Sequence, residues 1–298
     1  MHRVSKLEFF VLIALMLAAC MLTLSHSQNG SSISMDSLHY FSGAVNLSQG
    51  NGISIPAFAN FNENTTPITL WPPLYPSLLS LLCAVDKCTS IRLEHQIVWL
   101  NLSMLLVSIF IFYRITRNSA SKWAGIIATT MFIMLPSTQI IFMYAWTEVI
   151  FIPLTLCSYF FLRSYLTTQN KLSYLIIAVV FSIVATYARY IGIAFSISLL
   201  ISLVAFASGT YTTRMLLAMK MGILYSIGLL PLLLRNLYHV GELSGGERGM
   251  PTFRLFDDIT TLVQLISREL FSSYHTLTFA AFSSLILAII LLVKQRNM

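Results

Sequence analysis

Charge is what this chain has least of. Only 10% of its 298 residues are Asp, Glu, Lys or Arg, with 11 acids against 18 bases. A soluble domain carries about a quarter charged residues, so a water-soluble globule is excluded. Cysteine is sparse as well: there are four, with Cys20 and Cys157 inside apolar runs and Cys83 and Cys88 flanking Asp86 and Lys87. No zinc-type spacing results, and a disulfide between Cys83 and Cys88 stays open. The six histidines show no paired ligand spacing, so no transition-metal centre is expected; Asp36 and Glu148 leave open a lone divalent ion. The glycine-rich Ser244 to Gly249 lacks the strand-to-helix context and closing lysine of a nucleotide loop. It reads as a turn. Internal repeats, linkers and low-complexity tracts are absent too.

Apolar residues are abundant: 56% of the chain, with a mean hydropathy of +0.77. That composition is expected to give an all-α polytopic membrane bundle. Runs near the roughly 20 residues that cross a bilayer fall at Phe9 to Leu24, His95 to Tyr113, Trp123 to Met143, Val149 to Leu166, Leu172 to Tyr187, Tyr190 to Ala207, Met215 to Leu234 and Thr276 to Val293. Eight crossings are therefore predicted. Tyr75 to Val85 is too short to cross and is expected to lie along the interface or to re-enter.

The net charge of +7 is spread over the ends of these runs instead of forming a basic face, so it points to topology and not to nucleic acid. With His2, Arg3 and Lys6 cytoplasmic, alternation brings Arg114, Arg117, Lys122, Arg163, Lys171, Arg214, Lys294 and Arg296 to the same side. Both termini are then cytoplasmic, and the protein is expected in the plasma membrane. Leu17 to Cys20 also resembles a lipoprotein cleavage signal, an alternative for the first span. Three segments lie together outside: a long first loop over residues 27–94, the turn at Trp146, Thr147 and Glu148, and the loop from Asn236 to Ser273. The sequons at Asn29, Asn46 and Asn64 sit in that first loop and matter only in a glycosylating compartment.

The first loop starts with an expected short helix that the Gly50, Asn51 and Gly52 stretch ends; interfacial helices are expected within the loop. Asp36, His39, Tyr40, Gly43, Ala44 and Leu47 recur at three- and four-residue spacing, which places a carboxylate, an imidazole and a phenol on one face. Pro72, Pro73 and Pro76 impose an extended entry to the next apolar run. Glu148 follows Thr147, the expected N-cap of the fourth span, where a carboxylate is favoured by the helix dipole whether or not it does chemistry. Arg189 and Arg235 break the positive-inside pattern. Either they snorkel to the interface or they hold an anionic headgroup. Pro231 is expected to kink the seventh span just before Arg235.

These features occur in one order: a span, MDSLHYFSGAVNLSQGNG, WPPLYPSLL, LPSTQIIFMYAWTEVIF, ATYARYIGIAF and LLPLLLRNLYHVGE. That order resembles the polyprenyl-phosphate-sugar-dependent membrane glycosyltransferases of the GT-C superfamily, which includes protein O-mannosyltransferases and lipid A aminoarabinose transferases. The resemblance covers about residues 1–250 as a shared transmembrane module, leaving 251–298 as the rest of an external loop and a last span. It implies that Asp36 is the catalytic carboxylate and that Glu148 is the second acid, at the turn between the third and fourth spans. It places Arg189, Arg235 and Asn236 at the donor's phosphate; His39 and Tyr40, on the Asp36 face, are expected to contact substrate. Asp36 is followed by Ser37 where many members carry a second acid, and most members are longer. A shortened, inactive relative is thus a further expectation.

The inventory suits such chemistry. A sugar on a lipid phosphate has a good leaving group, so no general acid is needed and one base suffices. The expected reaction is inverting transfer from a polyprenyl-phosphate donor to a lipid, glycan or protein acceptor, without a cofactor. The rival from another class, a transporter or lipid-binding protein, would place its charges at mid-membrane in inverted halves; here they cluster at the outer boundary.

Overall fold

The structure, a computed structural model, describes residues 6–56, 65–85, 90–167, 171–246 and 260–261. Among them are ten helices and one two-stranded sheet. The chain forms two compact units. The first comprises Met1–Gln28, Leu105–Met143 and Gly249–Met298, and the second Asn29–Met104 with Tyr144–Arg248. Nearly all of 251–298, including the expected span Thr276 to Val293, lies outside the described residues.

In the first unit, α1 (Lys6–His26) carries the first apolar run through Cys20 without a break. Its Glu8 is 4% exposed and pairs with Arg117 Nε at 2.8 Å, on α4 (Ser90–Ser119). Tyr113 OH donates to the same carboxylate at 3.1 Å. A buried acid keeps its charge only with partners of this kind. The third expected span, Trp123 to Met143, is two helices: α5 (Lys122–Met134) and α6 (Pro136–Met143), bent by 59°. The cause is Pro136, whose ring and missing N–H end the ladder at Leu135. The Gln139 side-chain amide donates to the Ile133 carbonyl at 2.6 Å, replacing a lost backbone donor.

The second unit contains α2 (Met35–Ser48), β1 (Ser54–Pro56) paired antiparallel with β2 (Thr65–Pro67), α3 (Leu74–Val85), the start of α4, and then α7 (Glu148–Thr167), α8 (Leu172–Ala188), α9 (Gly192–Phe206) and α10 (Tyr211–Val240). Small residues let these helices approach closely, as expected where apolar burial against lipid gives no gain. A methyl group on Gly192 would lie 2.6 Å from Thr186 Oγ1. Ser158 Oγ donates to the Ala178 carbonyl at 2.7 Å between α7 and α8, and Thr186 Oγ1 bonds Tyr225 OH at 2.7 Å between α8 and α10. Pro231 does not end α10, which runs on for 30 residues to a left-handed Gly241. Arg235 and Asn236 therefore sit on helix and not past its end.

By length and composition, four helices can cross a bilayer: Lys6–His26, Leu93–Ser119, Glu148–Thr167 and Tyr211–Val240, with a fifth if the bent pair is one span. The chain is a multi-pass membrane protein. The expected eight crossings are not reached among the described residues: α8 and α9 have 17 and 15 residues, short of about 20, and the eighth expected run, Thr276 to Val293, lies outside them. Cys83 is disulfide-bonded, whereas Cys20 and Cys157 are free; Cys88, its expected partner, lies outside the described residues, as does Asn64.

Candidate functional site

The expected site residues all lie in the second unit, in two adjoining clusters. The first is built by a local device at the start of α2. Ser34 caps the helix: its Oγ accepts from Ser37 N at 3.3 Å, and Ser37 Oγ accepts from Ser34 N at 3.0 Å. Two distant contacts then fasten this cap to the chain before α7. Ser37 Oγ donates to the Ala145 carbonyl at 3.0 Å, and Trp146 Nε1 donates to Ser34 Oγ at 2.8 Å. Ala145 N bonds the Ser32 carbonyl at 3.0 Å, in a parallel bridge of Ser32 with Tyr144. The two helix starts are thereby held side by side. Asp36, in the first turn of α2, and Glu148, in the first turn of α7, line one recess of 230 Å³ with Ser34, Met35 and Trp146.

The two acids differ in their surroundings. Asp36 is exposed, and among the described residues its carboxylate has no hydrogen-bond or ion-pair partner. Glu148 is engaged: Oε1 forms an ion pair with Arg189 Nη1, and Oε2 accepts from Thr147 Oγ1 at 3.2 Å. Arg189 Nη1 also donates to Thr147 Oγ1, at 3.5 Å. Thr147 thus stands where an N-cap was expected, but its hydroxyl serves the side chains of Glu148, Arg189 and Tyr40. Sequence reasoning assigned it no role at the site; its place beside Glu148 was the only signal. Arg189 is the C-cap residue of α8, and burial lowers its guanidinium from the ordinary value while Tyr40 and Asp36 pull it back up.

The α2 face is mainly a packing face. Tyr40, Gly43 and Ala44 are buried, and a methyl on Gly43 would lie 3.2 Å from the Ile53 side chain. Tyr40 packs edge-on against Tyr75, 5.2 Å between ring centroids, and His39 stacks on Trp71 at 4.7 Å. His39 and Tyr40 are not among the recess-lining side chains. The Tyr40 phenol is pushed up to about 12 by burial, partly opposed by its Thr147 hydrogen bond. It stays protonated at neutral pH and is no base.

The second cluster ties the first loop to α10. Arg235 Nη2 donates to the Ile68 carbonyl, and Nη1 to Asn236 Oδ1 at 3.5 Å. Fully buried Asn236 donates to Tyr190 OH at 2.8 Å and to the Leu243 carbonyl at 3.1 Å; Tyr190 OH in turn donates to the Thr69 carbonyl at 2.9 Å. Gly245 closes the cluster, with φ of 89° and its Cα against the Thr69 carbonyl, where a side chain would collide. The glycine-rich turn is seated, then, and Gly245 is there for both reasons. Because Arg189 and Tyr190 are consecutive, the two clusters meet at the α8–α9 turn.

Asn46, one of the expected sequons, donates from Nδ2 to the Ser54 carbonyl at 2.8 Å. Among the described residues no group of three or more His, Cys, Asp or Glu side chains is arranged to hold a metal. Comparison with protein-family models, with curated proteins and with solved structures finds no match to this chain.

Proposed function

We propose that this protein is a membrane glycosyltransferase that moves a sugar from a polyprenyl-phosphate donor to a hydroxyl of a lipid, glycan or protein acceptor, on the extracytoplasmic face and with inversion. The observation that carries this reading is the unpartnered Asp36 carboxylate in one recess with Glu148, one residue pair away from Arg189. In the reaction, the acceptor oxygen forms a bond to the anomeric carbon, the bond from that carbon to the donor phosphate breaks, and the acceptor proton passes to Asp36. The polyprenyl phosphate leaves with the bonding pair, so no acid has to protonate it.

The arginines divide the electrostatic work. Arg189 is already neutralised by Glu148 and so orients that acid, whereas Arg235 faces only neutral oxygens among the described residues and is the cation left to meet a departing phosphate. An apolar recess of 460 Å³ between α7 and α9, lined by Phe151, Leu156, Tyr159, Ile191 and Phe195, starts one turn along α7 from Glu148 and just after Tyr190. In this reading it receives part of the lipid chain. Counting α8 and α9 as crossings, with Thr276 to Val293 as the last, restores eight spans with both termini cytoplasmic in the plasma membrane.

A non-catalytic lipid-binding relative is the second reading, favoured by the fact that both arginines already hold protein groups. Transfer from a radiolabelled lipid-linked sugar pool in membranes separates the two. Asp36→Asn at matched expression should lower transfer by about 10²- to 10⁴-fold, as loss of a general base does. Transfer at the wild-type rate by that variant ends the catalytic assignment of Asp36. Absence of transfer by both proteins selects the non-catalytic reading.

A further inference from the structure

The recess at Asp36 has an aromatic wall that proton transfer does not need. Trp146 is immobilised on two sides: its Nε1 donates to Ser34 Oγ at 2.8 Å, and its ring stacks on Tyr144 with centroids 4.6 Å apart and planes 24° from parallel. A ligand meeting this indole finds a surface whose rotamer is already chosen, so binding does not have to immobilise it. Polar groups complete the lining: the free Asp36 carboxylate, the Glu148 carboxylate and the Ser34 hydroxyl. At 230 Å³ the space is smaller than the roughly 300–1,000 Å³ of drug-sized pockets, which suits one ring and not an oligosaccharide.

An aromatic ring and hydrogen-bond acceptors lining one recess match one chemical class, a polyhydroxylated ring with a C–H face and a hydroxyl rim. Hydroxyls donate to carboxylates in short charge-assisted bonds, and the C–H face lies on the electron-rich indole face. The charge balance narrows the class. Arg189 is ion-paired with Glu148 and acts on Asp36 only through space, so two carboxylates share one guanidinium and the recess carries a net negative charge. A ring bearing its own carboxylate would face that charge within a few ångströms and be repelled.

We propose that this recess is a monosaccharide subsite that takes a single pyranose without a carboxylate, its C–H face on Trp146 and its hydroxyls on Asp36 and Glu148. The inference rests on the glycosyl-transfer reading, in which the ring is the sugar being moved. It makes Trp146 a specificity-determining residue. An indole at a membrane boundary also serves as an interfacial anchor, and that role predicts no effect on sugar binding.

Saturation-transfer NMR on the full chain in nanodiscs tests it, with methyl glucoside, methyl mannoside, methyl galactoside and methyl glucuronide as probes. At least one neutral pyranoside should bind saturably, with methyl glucuronide weaker by about tenfold or more, the equivalent of 1.4 kcal/mol. Trp146→Ala should weaken the neutral probe about tenfold, while Trp146→Phe, which keeps a ring against Tyr144, should stay within about threefold. Asp36→Asn should abolish the discrimination against the glucuronide. The proposal is overturned if no neutral pyranoside binds the folded protein, if both Trp146 variants bind as wild type does, or if the glucuronide binds equally well. Sugar binding as expected, with no transfer from lipid-linked donors, would remove the glycosyltransferase reading and leave the subsite. Transfer lost in Asp36→Asn but unchanged in donor KM in Trp146→Ala would remove the subsite and leave the reaction.

Discussion

Glu148, at the start of α7, and Arg189, at the end of α8, are joined by an ion pair, and both reach the hydroxyl of Thr147. Their side chains are 29% and 37% exposed, so water screens the pair and its contribution to stability is modest. A double-mutant cycle with Glu148→Gln and Arg189→Gln, read by thermal unfolding in detergent, should give a coupling of about 0.5–1 kcal/mol. Its functional effect should be larger than its structural one, because the pair sets where the second carboxylate of the recess points. A coupling above about 3 kcal/mol would instead mark a fully desolvated structural pair.

Asn236 presents the opposite balance. It is fully buried, and its amide donates to Tyr190 OH and to the Leu243 carbonyl. Asn236→Ala should destabilise the protein by about 1–3 kcal/mol, the loss of two hydrogen bonds at about 0.5–1.5 kcal/mol each. Loss of the Ile68 to Thr69 anchorage should accompany it, seen as faster proteolysis of the first loop. An unfolding midpoint equal to wild type would contradict the buried network.

Tyr40 makes stability depend on alkaline pH with a definite sign. Its pKa is raised from 10.0 to about 12 in the folded protein, so the fold holds this proton more tightly than the unfolded chain does. The stabilisation is complete below pH 10 and is lost as the pH climbs to about 12. Comparing unfolding midpoints at pH 9 and pH 11, Tyr40→Phe should fall less than wild type. An identical fall in both proteins would place the alkaline sensitivity elsewhere.

The charge alternation makes a topology prediction. Single cysteines placed at Gly50 and at Glu242 in a background lacking the native cysteines should react with an impermeant reagent added outside intact cells, and one at Asn118 should react only after permeabilisation. Labelling at Asn118 from outside would reverse the orientation and put Asp36 in the wrong compartment for the proposed donor.

Membrane character, the helical class and the ends of most apolar runs were legible in the sequence, because hydropathy sums locally and a proline or a glycine acts where it stands. The α2 helix with Asp36 in its first turn and α3 at Leu74–Val85 were readable for the same reason; the disulfide at Cys83, which the sequence left open, the structure decided. Trp123 to Met143 read as an unbroken run, and Pro136, a local signal that was present, bends it into two helices. Pairing was decided only by the tertiary structure. That Asp36 and Glu148 share a recess depends on the Ser32–Tyr144 bridge and on Trp146 reaching Ser34, and that Arg189 serves Glu148 while Arg235 serves Ile68 depends on how α8 and α10 pack against the first loop. These helices are apolar nearly all round, so periodicity does not say which face turns inward. Small residues and a few buried hydroxyls choose it, at contacts such as Gly192 with Thr186 and Ser158 with Ala178, and such contacts are specified only when both partners are already in place.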